Sequence, residues 1–337
     1  MIVMAVFSLA DLYRIVDSAT VIELDFTALR KNRHEAIYHI LSGKKATDEN
    51  QALVPVFTIS IDNEPNGKQA VLEKASTIFE LPVEGGATRF LAFFDGADTV
   101  QKVGPVRSIR PYFIEYAKSV AAMLIHAGGS PEALTYLKNS TPLFYDLDEI
   151  GPAGKYFWRD RENFPPHNLF TNSTLLQKAY DAAPQKRELI YKDISWEWED
   201  DETSAEDGDA ISEKIFIDFS TQNYEVEYKY DKISGIFIRY QGGQIHRSAN
   251  GEPLIGNNII LVFVQVKIID TEGRLKMETI GVGDAVICKK GRCAEGKWDK
   301  KDASSHIKFT DSLGGLIKLT PGITWIEVVP IVRTVEY

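Results

Sequence analysis

Apolar and polar positions along the first two thirds of the chain alternate between strand-like and helix-like spacing. Apolar runs bounded by turn residues predict strands at Pro55 to Asp62, Thr77 to Val83, Thr88 to Phe94 and Ala121 to Ala127. Helices are predicted at Pro111 to Val120 and Pro131 to Lys138. This alternation is typical of a mixed α/β domain, which we place at residues 51–196.

The pattern changes in the last third, where short alternating runs are separated by Gly-rich and Asn-Gly turns. The predicted strands are Lys214 to Phe219, Tyr224 to Tyr230, Gly235 to Tyr240, Ile259 to Ile268 and Ile323 to Val329. We therefore predict a smaller, β-rich domain at residues 214–337 and an α+β fold class overall. Trp298 and Trp325 lie in strand-like runs and are predicted core residues rather than sugar-stacking platforms.

Charge separates the two predicted domains. The formal net charge is -10, yet nine carboxylates and no Lys or Arg lie between Glu197 and Glu213. We interpret residues 197–213 as a solvated linker, with an acidic ligand-binding segment as the alternative. The remainder carries about -1, and it has no Lys/Arg-rich tract of the kind that binds phosphate backbones. A nucleic-acid partner is therefore not expected.

The N-terminal segment, residues 1–50, is predicted to be membrane-proximal or the remnant of an anchor. Met1 to Ala10 is apolar throughout, but its ten residues are half of the roughly 20 that span a bilayer. Two interpretations stay open: a membrane anchor whose true start lies upstream of Met1, or a buried first helix.

Candidate chemistry concentrates in two glycine-containing motifs. In HAGGSPE, an apolar strand ends at His126, Gly128 and Gly129 allow a turn, and Ser130 is placed to cap the next helix. Such a helix end favours anions, although a well-capped helix explains the motif equally. In GPVRSIRP, Arg107, Ser108 and Arg110 precede a second helix, and paired arginines suit carboxylate or phosphate. Surface arginines that cap a loop are the alternative.

Three further segments add polar groups. Glu84 and Arg89 flank the turn in LPVEGGATRF, where an internal Glu–Arg pair is the structural alternative. A long loop contributes four more candidates for ligand binding or catalysis, namely Trp158, Arg159, His167 and Asn168.

General acid–base catalysis could use Glu84, His126 and His167, because a histidine beside arginines has a lowered pKa and acts as a neutral base. The alternative is that His126 is a hydrogen-bonded core histidine. The serine in GGSPE lacks the glycine of a nucleophile elbow, and the chain contains no P-loop, GxGxxG or HExxH motif. No cofactor and no metal site is predicted.

The two cysteines lie on a predicted hairpin. A two-residue turn at Lys290-Gly291 would pair Lys289 with Arg292 and place Cys288 opposite Cys293, within disulfide range. Either a disulfide or two facing free thiols fits this register.

Several segments, in order, carry a resemblance: VEGGATRFLAFF, GPVRSIRPYF, HAGGSPEAL, YFWRD and PHNLFT, followed by NNIILVFVQV, GRLKMETIGVGDAVICKKGRCAEGKW and TPGITWIEVV. They resemble the YerB-like family of bacterial lipoproteins over roughly residues 53–335. The resemblance implies an envelope-facing, membrane-tethered protein on the extracytoplasmic face and no established reaction. The sequence lacks a lipobox cysteine, which favours a helix anchor over lipidation.

Three functions follow as hypotheses. The first is a binding module for an anionic envelope ligand or cell-wall polymer, using the arginines and the Ser130 helix end. The second is an envelope hydrolase or transferase that uses His126 or His167 with Glu84. The third is a structural role in an envelope complex, with surface apolar residues of the β-rich domain making the contacts.

Overall fold

Strands are the predominant secondary structure of the fold. The computed structural model describes residues 38–47, 54–65, 67–95, 99–139, 144–183, 196–199 and 212–337. The strands, in chain order, are β1 (Val56–Asp62), β2 (Thr77–Pro82), β3 (Thr88–Asp95), β4 (Met123–His126), β5 (Tyr145–Asp148), β6 (Trp158–Arg159), β7 (Leu169–Phe170), β8 (Glu197–Trp198), β9 (Lys214–Asp218), β10 (Glu225–Asp231), β11 (Ile236–Gln241), β12 (Gln244–Ile245), β13 (Ile255–Gly256), β14 (Asn258–Val264), β15 (Val266–Ile268), β16 (Leu275–Met277), β17 (Gly281–Lys289), β18 (Arg292–Lys300), β19 (Lys308–Asp311), β20 (Lys318–Leu319), β21 (Thr324–Pro330) and β22 (Val335–Glu336).

Among the described residues, three α-helices lie in the N-terminal half: α1 (Pro111–Ala117), α2 (Pro131–Asn139) and α3 (Ser173–Asp181). Their first residues explain where they begin. Proline occupies the first helical position of α1, where its missing N–H costs nothing. The side chain of Asn172 accepts a hydrogen bond from Leu175 N at 2.8 Å and so caps α3. The helices are short because each only covers part of a sheet.

A single ten-stranded sheet joins the two halves of the chain. Its order is β19-β18-β17-β14-β21-β2-β3-β1-β4-β5, so five strands come from each half. The junction is the parallel pair of β2 with β21, in which Glu80 lies opposite Glu327. The hydrophobic pattern did not predict the pairing of β2 with β21. A strand has the same sequence pattern whether its edge is exposed or is paired with another strand. The α+β label therefore holds only in part, since strands dominate.

Each face of this sheet is covered differently. Helices α1 and α2 cover one face, where Phe79, Leu81 and Phe93 point. The other face receives Ile59 and Ile78, and it packs against α3 and a smaller sheet of order β12-β11-β10-β9-β22, with β13 beside β11.

The two tryptophans predicted to be core residues are buried. Trp298 is 3% exposed and Trp325 is 0% exposed. The Trp325 indole donates to Ile255 O at 2.9 Å and that of Trp298 to Phe263 O at 3.0 Å. Neither ring is therefore free to stack on a sugar.

The cysteine hairpin has the predicted register. Lys289 lies opposite Arg292 and Cys288 opposite Cys293. Lys290 (φ 48°) and Gly291 (φ 73°) both adopt the left-handed conformation that a two-residue turn of this type requires. The sulfur atoms of Cys288 and Cys293 are joined in a disulfide, and their Cα atoms are 4.0 Å apart.

Two predicted segments lie largely or wholly outside the described residues. Met1 to Ala10 is one, and most of the acidic stretch, residues 200–211, is the other. In the part of the chain that the structure describes, no helix has the length and apolar character needed to span a membrane.

Candidate functional site

The GPVRSIRP motif forms an extended segment, residues 104–110, which we call the strap. It runs between the end of β1, the strand β7 and the HAGG turn, and backbone hydrogen bonds hold it on each side. These bonds are Val106 N to Leu169 O (2.7 Å), Arg107 N to Ser60 O (2.9 Å), Ala127 N to Arg107 O (3.1 Å) and Ile109 N to Gly128 O (3.1 Å). The strap is thus a rigid support for its two arginines, and both glycine motifs meet there.

Arg110 pairs with Glu84 through two hydrogen bonds. Its Nε donates to Glu84 Oε1 at 2.6 Å and its Nη2 to Oε2 at 2.5 Å, the fork geometry that favours arginine over lysine. Partial burial acts to raise the pKa of Glu84, but the bonds from Arg110 prevail and lower it. The expected pairing of Glu84 with Arg89 is therefore wrong, and Glu84 is a poor proton donor.

The turn that carries Glu84 touches the C-terminal half. Gly86 has a φ of 78°, and a Cβ atom there would lie 3.0 Å from the Cβ of Ser220. The Ser220 hydroxyl donates to Gly86 O. Only glycine allows both this backbone conformation and this close approach.

Arg89 lies between these groups without a carboxylate of its own. Its Nη1 donates to Ser108 O at 2.8 Å and to Ser108 Oγ at 3.1 Å. Among the described residues, no carboxylate oxygen lies within ion-pair distance of its guanidinium. Burial, followed by the positive charges of Arg110 and Arg107, lowers the pKa of Arg89 to about 10. An arginine in this position favours an added anion.

Arg107 completes the group together with Asp62 and His167. Arg107 Nε lies 3.6 Å from Asp62 Oδ1, and its Nη1 donates to Pro166 O at 3.0 Å. Asp62 Oδ2 bonds to His167 Nδ1, while His167 Nε2 lies 3.9 Å from Glu64 Oε2. We call Asp62, Glu84, Arg89, Arg107, Ser108, Arg110 and His167 the arginine cluster.

His126 is not part of this cluster. It is 0% exposed, and its Nε2 lies 2.6 Å from Asp146 Oδ1 while its Nδ1 lies 2.9 Å from Gly128 O. Both partners are acceptors, so both ring nitrogens carry protons. Burial acts to lower the pKa of His126, but the bond to Asp146 and the nearby carboxylates raise it. The predicted neutral base is therefore wrong here, because the neighbours are aspartates from β5 rather than arginines.

The Ser130 helix end is already occupied by the protein's own groups. Ala133 N donates to Ser130 Oγ at 3.3 Å, which is the predicted cap, and Ser130 is 6% exposed. Glu132 places a carboxylate in the first turn of α2 and accepts from Arg274 at 3.1 Å. Gly128 and Gly129 contact the strap through their backbone atoms. This end consequently has no need of an external anion.

The remaining loop candidates point elsewhere. Arg159 is exposed and donates to Glu149 Oε1 at 3.1 Å and to Asn168 Oδ1 at 3.4 Å. Trp158 packs beside Phe170, with ring centroids 6.3 Å apart. Of the loop residues named in advance, His167 alone joins the arginine cluster.

Sequence reasoning missed three residues of the site. Asp62 and Glu64 follow the first strand, a position where polar side chains often signal function. Tyr224 belongs to the C-terminal half; burial and the charges of Glu64 and Asp62 raise its pKa to about 12. No local pattern distinguishes Tyr224. No group of three or more His, Cys, Asp or Glu side chains in the described ranges is arranged to hold a metal ion.

Comparison with known proteins identifies the family. The chain matches "Protein of unknown function (DUF3048)", with the N-terminal domain at residues 41–187 and the C-terminal domain at residues 215–326. The chain belongs to the DUF3048 family. This result confirms the resemblance that the ordered motifs indicated.

One relative of this DUF3048 member is matched both in sequence and in structure. It is 29% identical over 294 residues to "Putative lipoprotein YerB" of Bacillus subtilis (strain 168), covering 86% of this chain and 85% of that protein. The crystal structure of YerB protein from Bacillus subtilis superposes with a TM-score of 0.76 at 27% identity, covering 89% of this chain and 99% of that chain. The two-domain DUF3048 arrangement is therefore shared over nearly the whole of both proteins.

Proposed function

We propose that the arginine cluster binds an anionic ligand of the cell envelope that carries carboxylate or phosphate groups. The observation that carries the proposal is Arg89, a largely buried guanidinium that lies beside two other arginines and lacks a carboxylate partner among the described residues. Arg107 and Arg110 each have a carboxylate neighbour within ion-pair distance, whereas Arg89 has none among the described residues, so its charge is the one in the cluster without a close partner. A bound anion would neutralise that charge in a partly desolvated place, where the interaction is strong.

The envelope location rests on the relatives. The similar Bacillus subtilis protein carries the name "Putative lipoprotein YerB", and lipoproteins are a membrane-tethered class. Ligands available to such a protein include phosphodiester and carboxylate polymers of the cell wall. Both offer paired anionic oxygens that a guanidinium group binds through two parallel hydrogen bonds.

Thermal unfolding with inorganic phosphate, citrate and a glycerol phosphate oligomer tests the proposal. An anion present at ten times its Kd stabilises the folded state by about 1.4 kcal/mol. Arg89→Gln should abolish this gain, whereas Arg159→Gln, which removes an exposed arginine outside the cluster, should retain it. If none of the three anions stabilises the parent protein, or if both variants respond alike, the proposal is wrong.

A second candidate function is envelope hydrolysis or group transfer with His167 as the acid–base group. Asp62 is buried and holds His167 Nδ1, while the imidazole is 33% exposed, the arrangement of an oriented histidine. His126 and Glu84 are excluded from this role by their own pairings. Turnover of purified cell-wall polymer should be lost in His167→Ala and kept in His126→Gln; turnover that survives His167→Ala rejects the candidate.

A further inference from the structure

A buried polar network lies between the two sheets. Glu80 on β2 and Arg239 on β11 are each 0% exposed and form an ion pair. The second oxygen of the Glu80 carboxylate accepts from Thr88 Oγ1 at 2.6 Å and from Asn63 Nδ2 at 3.0 Å. Asn63 Nδ2 also donates to Thr88 Oγ1 at 2.7 Å. One carboxylate therefore ties the C-terminal half to two strand ends of the N-terminal half.

Arg239 is itself held on its other side. Its Nη1 donates to Gln241 Oε1 at 3.0 Å and to His246 Nδ1, and His246 Nε2 contacts Gln69 Oε1 at 2.8 Å. Its guanidinium lies 4.9 Å from the Trp325 ring centroid and 5.4 Å from that of Phe90. The arginine has little freedom to move, so Glu80 has a rigid partner.

The network and the arginine cluster lie on opposite faces of the same strand ends. Asp62 on β1 and Arg89 on β3 are directly opposite each other in the antiparallel register. Asn63 follows Asp62 in the chain and Thr88 precedes Arg89. Consecutive strand residues point to opposite faces of a sheet. The side chains of Asn63 and Thr88 therefore bond to Glu80 on the face opposite to Asp62 and Arg89, and these bonds hold the backbone that carries the Asp62 and Arg89 side chains.

We infer that Glu80 and Arg239 are positioning residues for the arginine cluster, acting through Asn63 and Thr88 to fix Arg89 and Asp62. The inference rests on the proposed anion-binding function. The placement of Arg89 and Asp62 then depends on both halves of the chain, since Arg239 belongs to the C-terminal half. Thr88 begins β3, where a strand end would fray without such a clamp.

Thr88 offers a matched pair of substitutions. Thr88→Val keeps the shape but removes the hydroxyl that bonds Glu80 and Asn63, whereas Thr88→Ser keeps the hydroxyl and removes a methyl group. We expect phosphate affinity, measured by titration calorimetry on folded protein, to fall about three- to tenfold in Thr88→Val, as for loss of one buried hydrogen bond. Thr88→Ser should bind as the parent does.

A second readout does not depend on any ligand. The 15N–1H resonance of the Arg89 side-chain Nε–H, assigned by its loss in Arg89→Lys, reports the placement of that guanidinium. It should shift in Thr88→Val and stay in place in Thr88→Ser.

The two measurements separate the two ideas. If the parent binds no anion but the Arg89 signal moves only in Thr88→Val, the positioning inference stands and the proposed function fails. If the parent binds phosphate and both variants match it in affinity and in the Arg89 signal, the inference is overturned and the proposed function stands.

Discussion

Arg89 and Arg239 are both largely removed from water, yet they differ in what surrounds them. Arg239 faces the Glu80 carboxylate, and although burial acts to lower its pKa, the negative charge of Glu80 raises it above the ordinary value. Arg89 faces a backbone carbonyl and a hydroxyl, and burial with two neighbouring arginines lowers its pKa. The charge of Arg239 is paired with a carboxylate inside the protein, and the charge of Arg89 is not paired in this way.

This difference distinguishes a buried charge that stabilises the fold from a charge that is available to bind a ligand. A buried charge with a close partner serves the fold, because removing either member leaves the other unpaired and desolvated. A charge that has like charges beside it and no carboxylate within ion-pair distance costs stability, and it is the kind of group to which an added anion would bind. The same residue type therefore has opposite expected effects when it is removed from the two places.

The largest expected effect is on stability. Arg239→Gln should lower the free energy of unfolding by about 3 to 5 kcal/mol, because it leaves the Glu80 carboxylate buried without its cation. Arg89→Gln should change it by less than about 1 kcal/mol, since relief of repulsion offsets the lost bonds to Ser108. Urea denaturation followed by fluorescence measures both. Equal losses in the two variants would remove the distinction between the two regions.

The second effect is on the pH dependence of stability and contrasts His246, which is half-buried, with His126, which is buried. Burial and the charge of Arg239 hold the pKa of His246 well below its ordinary value, whereas the pKa of His126 is raised. His246 therefore takes up a proton more readily in the unfolded chain, so its contribution to stability is lost as pH falls below about 6.5. The contribution of His126 is present below that pH and is lost as pH rises through its folded pKa.

Unfolding free energies between pH 4.5 and 8.5 test this contrast. His246→Gln should flatten the acid side by up to about 1.4 kcal/mol per pH unit, and His126→Gln should flatten the side above pH 6.5. Changes of the same sign in both variants would show that one of the two hydrogen-bonding arrangements is incorrect.

The smallest effect separates two serines. Ser130→Ala should cost about 1 kcal/mol of stability, because its hydroxyl caps α2, and should leave phosphate affinity unchanged. Ser108→Ala should do the reverse and weaken phosphate binding by about two- to fivefold, because its hydroxyl helps to orient Arg89 and Arg110. If Ser130→Ala weakened phosphate binding, the N-terminal end of α2 would have to be counted as part of the binding site.

Most individual helices and strands were predictable from the spacing of apolar residues and from the residues that begin or end each element. The predicted helix at Pro131 to Lys138 is observed as Pro131–Asn139, and the predicted strand at Thr77 to Val83 as Thr77–Pro82. A proline at the helix start, capping residues and alternating apolar positions act within a few residues, so the sequence displays them directly.

The site was predictable only in outline. The strap arginines Arg107 and Arg110 were recognisable from their motif, but the partner of Arg110 was not, because Glu84 lies 26 residues away in the chain. His126 is the hydrogen-bonded core histidine that was the alternative to a neutral base, but its partner was not predictable, since Asp146 reaches it from the neighbouring parallel strand. Histidine and arginine candidates that look alike in the sequence have opposite electrostatic surroundings in the structure. Those surroundings come from distant segments, which local sequence patterns do not link to them.

The sequence by itself thus determined helices α1 and α2, the longer strands, the cysteine hairpin register and the segments that carry polar groups, all through interactions among near neighbours. The tertiary structure alone decided that β21 completes the edge of β2 and that Arg239 reaches Glu80 across 159 residues. Burial and pairing of charges depend on which distant segments pack together, and packing minimises the free energy of the whole chain rather than of any one segment. For that reason the charge of Arg239 has a buried carboxylate partner, whereas Arg89 has two arginines beside it and no carboxylate within ion-pair distance among the described residues.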